Sequence, residues 1–214
     1  MRDLRRADAL STDMGGLPDA LRHLGTPPHD RSAVTPKAQV ERWLDEAIIG
    51  LDLCPFAAKV RRADGIRMAF LSVSEPLHAV HATLEEARAL LNQSSESPRT
   101  TLVVVTAGLG SFETYLDVVA TVEEALAEVG AEGILQVASF HPDYRFEGED
   151  EDAVSHFTNR APFPILHLLR EEDVSEAIDR HPDPGGIPSA NITKLEEMGA
   201  VKVRELWRCW SAAD

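Results

Sequence analysis

The stretch Ile134-Leu-Gln-Val-Ala-Ser-Phe140, followed at once by His141-Pro-Asp-Tyr-Arg-Phe146, decides how this chain is interpreted. Its first part is typical of a β-strand, and its second part opens with a histidine and an aspartate in a turn sequence. In an open α/β sheet, ligands bind in the crevice just past the carboxyl ends of the strands. The sequence therefore predicts a functional site at the end of this strand.

Segments of strand and helix character alternate on both sides of this stretch. Strands are predicted at Ile66–Val73, Thr101–Thr106, Ile134–Phe140 and Pro164–Leu169. Helices are predicted from Pro36 onward, at Leu77–Leu91 and Phe112–Val129, and in the short segments Val174–Ile178 and Asn191–Met198. Because the connections are long enough for crossovers, we expect a single layered α/β domain with a mostly parallel sheet of about four strands flanked by helices.

The amino-terminal part of the chain has a different character. Glycine and proline punctuate residues 1–35, with Gly15-Gly16 and Pro27-Pro28 as examples. Such punctuation favours a flexible leader. We therefore assign residues 1–35 to a flexible leader and residues 36–214 to the α/β domain.

Composition excludes several classes of function. The formal net charge is −15, which repels nucleic acid and anionic membrane surfaces. No apolar run approaches the roughly 18 residues of a spanning helix, and no secretory signal follows the first residues. We therefore expect a cytoplasmic protein with no nucleic-acid or membrane partner. The acidic run Glu147–Asp152 predicts a solvated loop, and a protein partner would bind through this loop or the leader.

Cys54 is a candidate nucleophile. It stands in Gly50-Leu-Asp-Leu-Cys-Pro-Phe-Ala57, where Pro55 can open a helical turn over Phe56–Val60. At the start of a helix, backbone N–H groups stabilise a thiolate and lower its pKa. The alternative is that Cys54 is a small buried apolar residue.

The turn that follows the central strand supports two kinds of chemistry. Asp143 can orient the His141 imidazole, which can then act as general acid or base, and with Cys54 it would form a thiol–imidazole pair. Alternatively, His141, Asp143 and His167 would bind iron or zinc, with Cys54 as a further ligand. A structural turn is the third interpretation, since Pro142-Asp143 is ordinary turn chemistry.

A second polar cluster follows in Thr158-Asn159-Arg160 and His167-Leu-Leu-Arg170-Glu171. Asn159 and Arg160 can hold a carboxylate or phosphate, because a guanidinium group binds such anions with two parallel hydrogen bonds. We group Arg170 and Tyr144 with them as substrate-binding candidates. His167 lies in an apolar run, where a histidine is more often a core residue than a ligand.

At these residues the chain resembles an uncharacterised bacterial family, domain of unknown function 1415. The resemblance runs from Val40 to Gly199 and includes the Cys54 segment, the strand with His141-Pro-Asp143, and Thr158-Asn-Arg160. It implies that Cys54, His141, Asn159, Arg160, His167 and Arg170 belong to the family's shared pattern. Where the family usually has Asn-Tyr before Thr-Asn-Arg, this chain has His156-Phe157.

Three functional hypotheses follow. The first is a small cytoplasmic enzyme, a thiol-dependent hydrolase or transferase, acting on an anionic small molecule or peptide end. In it, Cys54, His141 and Asp143 are catalytic. The second is a metal-dependent enzyme with iron or zinc at His141, Asp143 and His167. The third is a non-catalytic binding or accessory protein.

Overall fold

The computed structural model describes residues 34–93 and 99–211, so the predicted leader falls almost wholly outside the described residues. Within these ranges the helices are α1 Pro36–Trp43, α2 Ala57–Arg62, α3 Pro76–Asn92, α4 Phe112–Glu128, α5 Glu171–Asp179, α6 Ile187–Met198 and α7 Ala200–Ser211. The strands are β1 Ile66–Ser72, β2 Thr100–Ala107, β3 Leu135–Phe140 and β4 Ile165–Arg170. A π-helical segment, Leu44–Ile49, continues α1, and a 3₁₀ helix, Val154–Thr158, precedes β4.

The four strands form one mixed sheet in the order β1-β2-β4-β3. The α/β class and the four strands are confirmed, but the predicted mostly parallel sheet is wrong. Only β1 and β2 pair in parallel, whereas β4 runs antiparallel to both β2 and β3. The connection between β3 and β4 holds no crossover helix, so the chain turns back at the same edge of the sheet and β4 pairs antiparallel to β3.

One face of the sheet, here called the first face, packs against α3 and α4. Both helices present an apolar stripe at helical spacing, so each buries one side against the strands. Leu166 and Leu168 of β4 are completely buried at the centre of this layer. Its other members include Val103, Val105, Ala79, Leu90, Val118 and Val122.

The opposite face, here called the second face, meets the amino-terminal helix. As predicted, α1 begins at Pro36, and the Thr35 side chain accepts a hydrogen bond from the Ala38 N–H at 3.2 Å. The Trp43 ring packs edge-on against Phe140, with 5.4 Å between the ring centroids. This contact places the end of α1 beside the carboxyl end of β3.

Helix α7 was not predicted, although its signal is present in the sequence. Val203, Leu206 and Trp210 are its buried residues, and they recur at intervals of three and four. That spacing is typical of a helix with one apolar side. Among the described residues, no helix is long and apolar enough to cross a membrane.

Candidate functional site

The turn after β3 and the segment before β4 are joined by hydrogen bonds where β3 ends and β4 begins. This end of the sheet is here called the sheet edge. The His141 N–H donates to the Asn159 carbonyl at 3.2 Å, and the Ala161 N–H donates to the His141 carbonyl at 3.4 Å. The Asn159 side chain donates to the Ser139 carbonyl at 3.2 Å. The structure thus brings together five of the residues named as candidates in the sequence, namely His141, Asp143, Tyr144, Asn159 and Arg160.

His141 itself has both ring nitrogens bonded to the backbone. Its Nδ1 accepts a hydrogen bond from the Asp143 N–H at 3.0 Å, so the ring proton lies on Nε2, which donates to the Leu109 carbonyl at 3.1 Å. The residue is fully buried, and this burial lowers the pKa of the imidazole. With both nitrogens occupied, His141 has no position left from which to take a proton from a thiol.

Asp143 acts on His141 in a different way from the one predicted. Its backbone N–H, and not its carboxylate, makes the contact with the imidazole. The residue itself is exposed. The arrangement is a turn in which the aspartate backbone fixes the tautomer of the preceding histidine.

His156, like His141, has both ring nitrogens hydrogen-bonded to backbone groups. It was not among the site residues predicted from the sequence. Its Nδ1 accepts from the Phe146 N–H at 3.2 Å, and its Nε2 donates to the Asp150 carbonyl at 2.9 Å. The residue is 1% exposed. The one sequence feature that could have drawn attention to His156 was its departure from the family pattern. His156 therefore ties the acidic run Glu147–Asp152, whose residues are exposed, to the 3₁₀ helix.

Arg170 lies away from this edge and serves the fold. Arg170 is the last residue of β4, whereas Arg160 lies before the start of that strand, so the two are at opposite ends of β4. Its Nη2 donates to the carbonyls of Leu90 and Gln93 at the end of α3. These bonds satisfy carbonyls that a helix end leaves without partners. The predicted substrate-binding role of Arg170 is therefore not supported by its position.

His167 and His141 lie on opposite faces of the sheet. His141 contacts Tyr115 of α4 on the first face, with 5.1 Å between ring centroids. The neighbours of His167 in β4, Leu166 and Leu168, point to the first face, so alternation places His167 on the second. Among the described residues, no group of three or more His, Cys, Asp or Glu side chains could hold a metal. The proposed iron or zinc ligands are thus not brought together.

Cys54 is half-buried just before α2, and the predicted lowering of its pKa is wrong. The backbone N–H groups of Phe56 and Ala57 act to lower the pKa of the thiol, as expected at a helix start, although the Ala57 N–H itself donates to the Cys54 carbonyl at 3.2 Å. Burial outweighs them, and Asp52 adds a like charge, so the pKa of the thiol is raised. Among the described residues, these are the groups that act on the sulfur, and no imidazole is one of them.

Arg160 lies at this edge, and only part of its guanidinium group contacts other described residues. Its Nε donates to the Tyr144 carbonyl at 3.3 Å, and its Cζ lies 4.3 Å from the centre of the Phe157 ring. Its backbone carbonyl accepts from the Trp43 indole at 2.9 Å. The residue is half-buried, and desolvation lowers the pKa of the guanidinium. Within the described part of the chain, its two Nη groups have no hydrogen-bond partner.

Acid is expected to destabilise the fold through His167. A histidine in an unfolded chain takes up a proton near pH 6.5, whereas burial lowers the pKa of folded His167 to about 4. Below about pH 6.5 the unfolded chain therefore binds more protons, so stability is retained above that pH and is lost as the pH falls toward about 4. Urea unfolding near pH 4.5 should show a loss of about 2 kcal/mol relative to pH 7. The variant His167→Phe should lose distinctly less over this interval, and an equal loss would contradict the assignment.

A family model described as "Protein of unknown function (DUF1415)" matches residues 35–205. No curated protein and no solved structure matches the chain. The matched range covers the described strands and the residues of the sheet edge.

Proposed function

Because the chain belongs to the DUF1415 family, whose description assigns no reaction, we propose a function from the site: it binds an anionic small molecule or peptide end at Arg160. The anion would be a carboxylate or a phosphate, the two groups that fit the guanidinium fork. We place this binding in the cytoplasm, in keeping with the composition.

The observation that carries the proposal is the state of the Arg160 side chain. Two neighbouring arginines have carboxylate partners: Arg145 lies 3.5 Å from Glu151, and Arg204 lies 2.9 Å from Asp152. Arg160 is more buried than an ordinary surface arginine, yet within the described ranges it makes no ion pair. A cation that is partly removed from water interacts more strongly with an anion than one that is fully exposed.

The surroundings of Arg160 hold the guanidinium in one orientation. The Tyr144 carbonyl fixes Nε, and the Phe157 ring supports one face of the group. Phe157 is itself packed edge-on against Trp207 of α7, with 6.1 Å between centroids. An arginine that is already oriented loses less conformational entropy when an anion binds.

Neutralising Arg160 is expected to abolish most of the anion binding. Hydrogen bonds to charged groups contribute about 1.5–3 kcal/mol, so Arg160→Gln should weaken the binding of succinate or inorganic phosphate by about 10- to 100-fold. Arg160→Lys should recover only part, since an ammonium group cannot form the fork. Isothermal titration calorimetry measures each affinity, and circular dichroism checks that each variant is folded.

Arg145→Gln is the matched control, because it removes the same charge from an exposed arginine in the same cluster. We expect a change of less than about threefold from this loss of long-range attraction. Equal losses in both variants would show that only general electrostatics act. Failure of the unmodified protein to bind either anion would refute the proposal.

Thiol chemistry at Cys54 is a second candidate, favoured by the backbone groups of Phe56 and Ala57, which act to lower the pKa of its thiol. It would proceed without His141 as the base, because both nitrogens of that ring are bonded to backbone groups. A hydrolase or transferase of this kind would need a bound ligand to overcome the cost of forming the buried thiolate.

Without a ligand, Cys54 is expected to react slowly with iodoacetamide. Cys209 is exposed, whereas Cys54 is half-buried and the pKa of its thiol is raised. At neutral pH we expect Cys209 to react at least about tenfold faster. Mass spectrometry of the alkylated peptides over time gives both rates. A faster reaction at Cys54 would show an activated thiol and would favour the second candidate.

A further inference from the structure

The hydrogen bonds of His167 determine which of its nitrogens carries the proton. Thr100 Oγ1 lies 2.6 Å from His167 Nε2 and 2.6 Å from the Leu168 carbonyl. The threonine has one proton, and the carbonyl can only accept, so the hydroxyl donates to Leu168. His167 must therefore donate from Nε2, which leaves Nδ1 as an unprotonated acceptor.

This free acceptor is open to its surroundings. Among the described residues, four buried side-chain atoms lack a partner, namely Thr101 Oγ1, Ser155 Oγ, Arg170 Nη1 and Asp173 Oδ2. His167 Nδ1 is not one of them, although no described residue donates to it. The residue is also only half-buried, despite its position in a central strand. Nδ1 is therefore accessible to solvent.

A second polar group without a partner lies beside it on the same face. In the β3–β4 ladder, Ala138 pairs with His167 and Gln136 pairs with Leu169, so all four side chains share the second face. Gln136 and His167 are diagonal neighbours, with Cα atoms roughly 7 Å apart. The Gln136 carboxamide is half-buried and makes no hydrogen bond to any described residue.

The remaining described neighbours of His167 toward β3 are apolar. Ala138, opposite His167, has the smallest side chain that could stand there. The Phe140 ring lies 6.3 Å from the His167 ring, and Leu169 is half-buried on the other side. On the other side of His167, toward β2, Leu102 and Val104 are buried on the same face, so its half-buried part lies at β3. Apolar surroundings with a few convergent polar groups are typical of small-molecule sites.

We propose that His167 and Gln136 form a binding site on the second face for an uncharged ligand that presents a lactam or amide group. The ligand N–H would donate to His167 Nδ1, and its carbonyl would accept from the Gln136 side-chain NH₂. The strong preference of His167 for the neutral form, caused by burial, keeps Nδ1 available as an acceptor at neutral pH. The site is independent of Arg160 and stands whether or not that residue binds an anion.

The probe is 2-pyridone, and N-methyl-2-pyridone is the matched ligand, since it keeps the carbonyl and lacks the N–H. In the full chain labelled with ¹⁵N-histidine, 2-pyridone at millimolar concentration should shift the His167 Nδ1 resonance upfield, and the N-methyl compound should not. Gln136→Leu should weaken 2-pyridone binding by about tenfold, in line with the loss of one hydrogen bond. Ala138→Val should weaken it by filling the space, with both polar groups retained.

The same spectra can also contradict the proposal. If His167 Nδ1 carries the proton at neutral pH, the donor–acceptor pattern is wrong. If neither compound shifts the resonance, or both shift it equally, the site does not recognise a lactam. The thermal unfolding temperatures of both variants confirm that they are folded, and because Gln136 lies on the edge strand β3, its substitution is expected to be mild.

Discussion

Replacing Gly108 with alanine is expected to destabilise the fold by about 3 kcal/mol or more, combining backbone strain with a steric clash. The residue connects β2 to the loop before α4 and has a φ of +102°, a conformation that glycine adopts without cost. A Cβ at this position would meet the Val73 carbonyl oxygen at 2.1 Å. That oxygen belongs to the backbone at the end of β1, so the clash cannot be relieved by a side-chain rotation.

Two other glycines separate the contributions of strain and clash. Gly130 has a φ of +75° with nothing within 4 Å of a built Cβ, so Gly130→Ala should cost only the strain, about 1 kcal/mol. Gly110 has nothing within 4 Å either, and its φ lies outside the left-handed region, so Gly110→Ala should lie within about 0.5 kcal/mol of the parent. Urea unfolding gives all three values. A Gly108→Ala variant no less stable than Gly110→Ala would refute the predicted clash.

The secondary structure was largely predictable because its determinants are local. The β-branched run Thr101–Thr106 lies within β2, and the apolar periodicity over Leu77–Leu91 and Phe112–Val129 corresponds to α3 and α4. Side-chain periodicity of this kind depends on which face is buried, and that information is present in neighbouring residues. Only the ends of these three elements differ from the prediction, by one residue at most.

The direction of β4 was not predictable in the same way. Strand pairing depends on contacts between distant segments, and the residues of β4 would suit either direction. The decisive feature is that the 24-residue connection from His141 to Pro164 contains only a 3₁₀ helix. The sequence of that connection, with its acidic run and prolines, has no apolar periodicity long enough for a crossover helix. This absence indicates an antiparallel return of the chain.

The roles of the histidines depend on partners that the sequence does not reveal. His141-Pro-Asp143 and His181-Pro-Asp183 have the same local arrangement, in which the aspartate N–H donates to the histidine Nδ1, at 3.0 Å and 3.2 Å. The first imidazole is fully buried and donates to Leu109, whereas the second is half-buried beside Phe56, with 5.8 Å between ring centroids. The turn itself is a local property, and burial is not.

The distinction between a catalytic and a structural histidine leads to the second large effect, that of His141→Ala. The substitution removes a fully buried ring and leaves the Asp143 N–H and the Leu109 carbonyl without their partner. A cavity and two lost hydrogen bonds together should lower the free energy of unfolding by about 3–4 kcal/mol. Urea unfolding at neutral pH measures this loss.

His81→Ala is the control for His141→Ala, because His81 is exposed on α3 and should change stability by less than about 0.5 kcal/mol. The structural role also predicts that the folded fraction of His141→Ala still binds succinate or phosphate, since Arg160 remains. A His141→Ala variant as stable as the His81→Ala control would show that the hydrogen bonds of the His141 ring do not stabilise the fold. In that case a role for His141 as a proton acceptor, as the sequence suggested, would regain support, because its nitrogens would be free to act on a ligand.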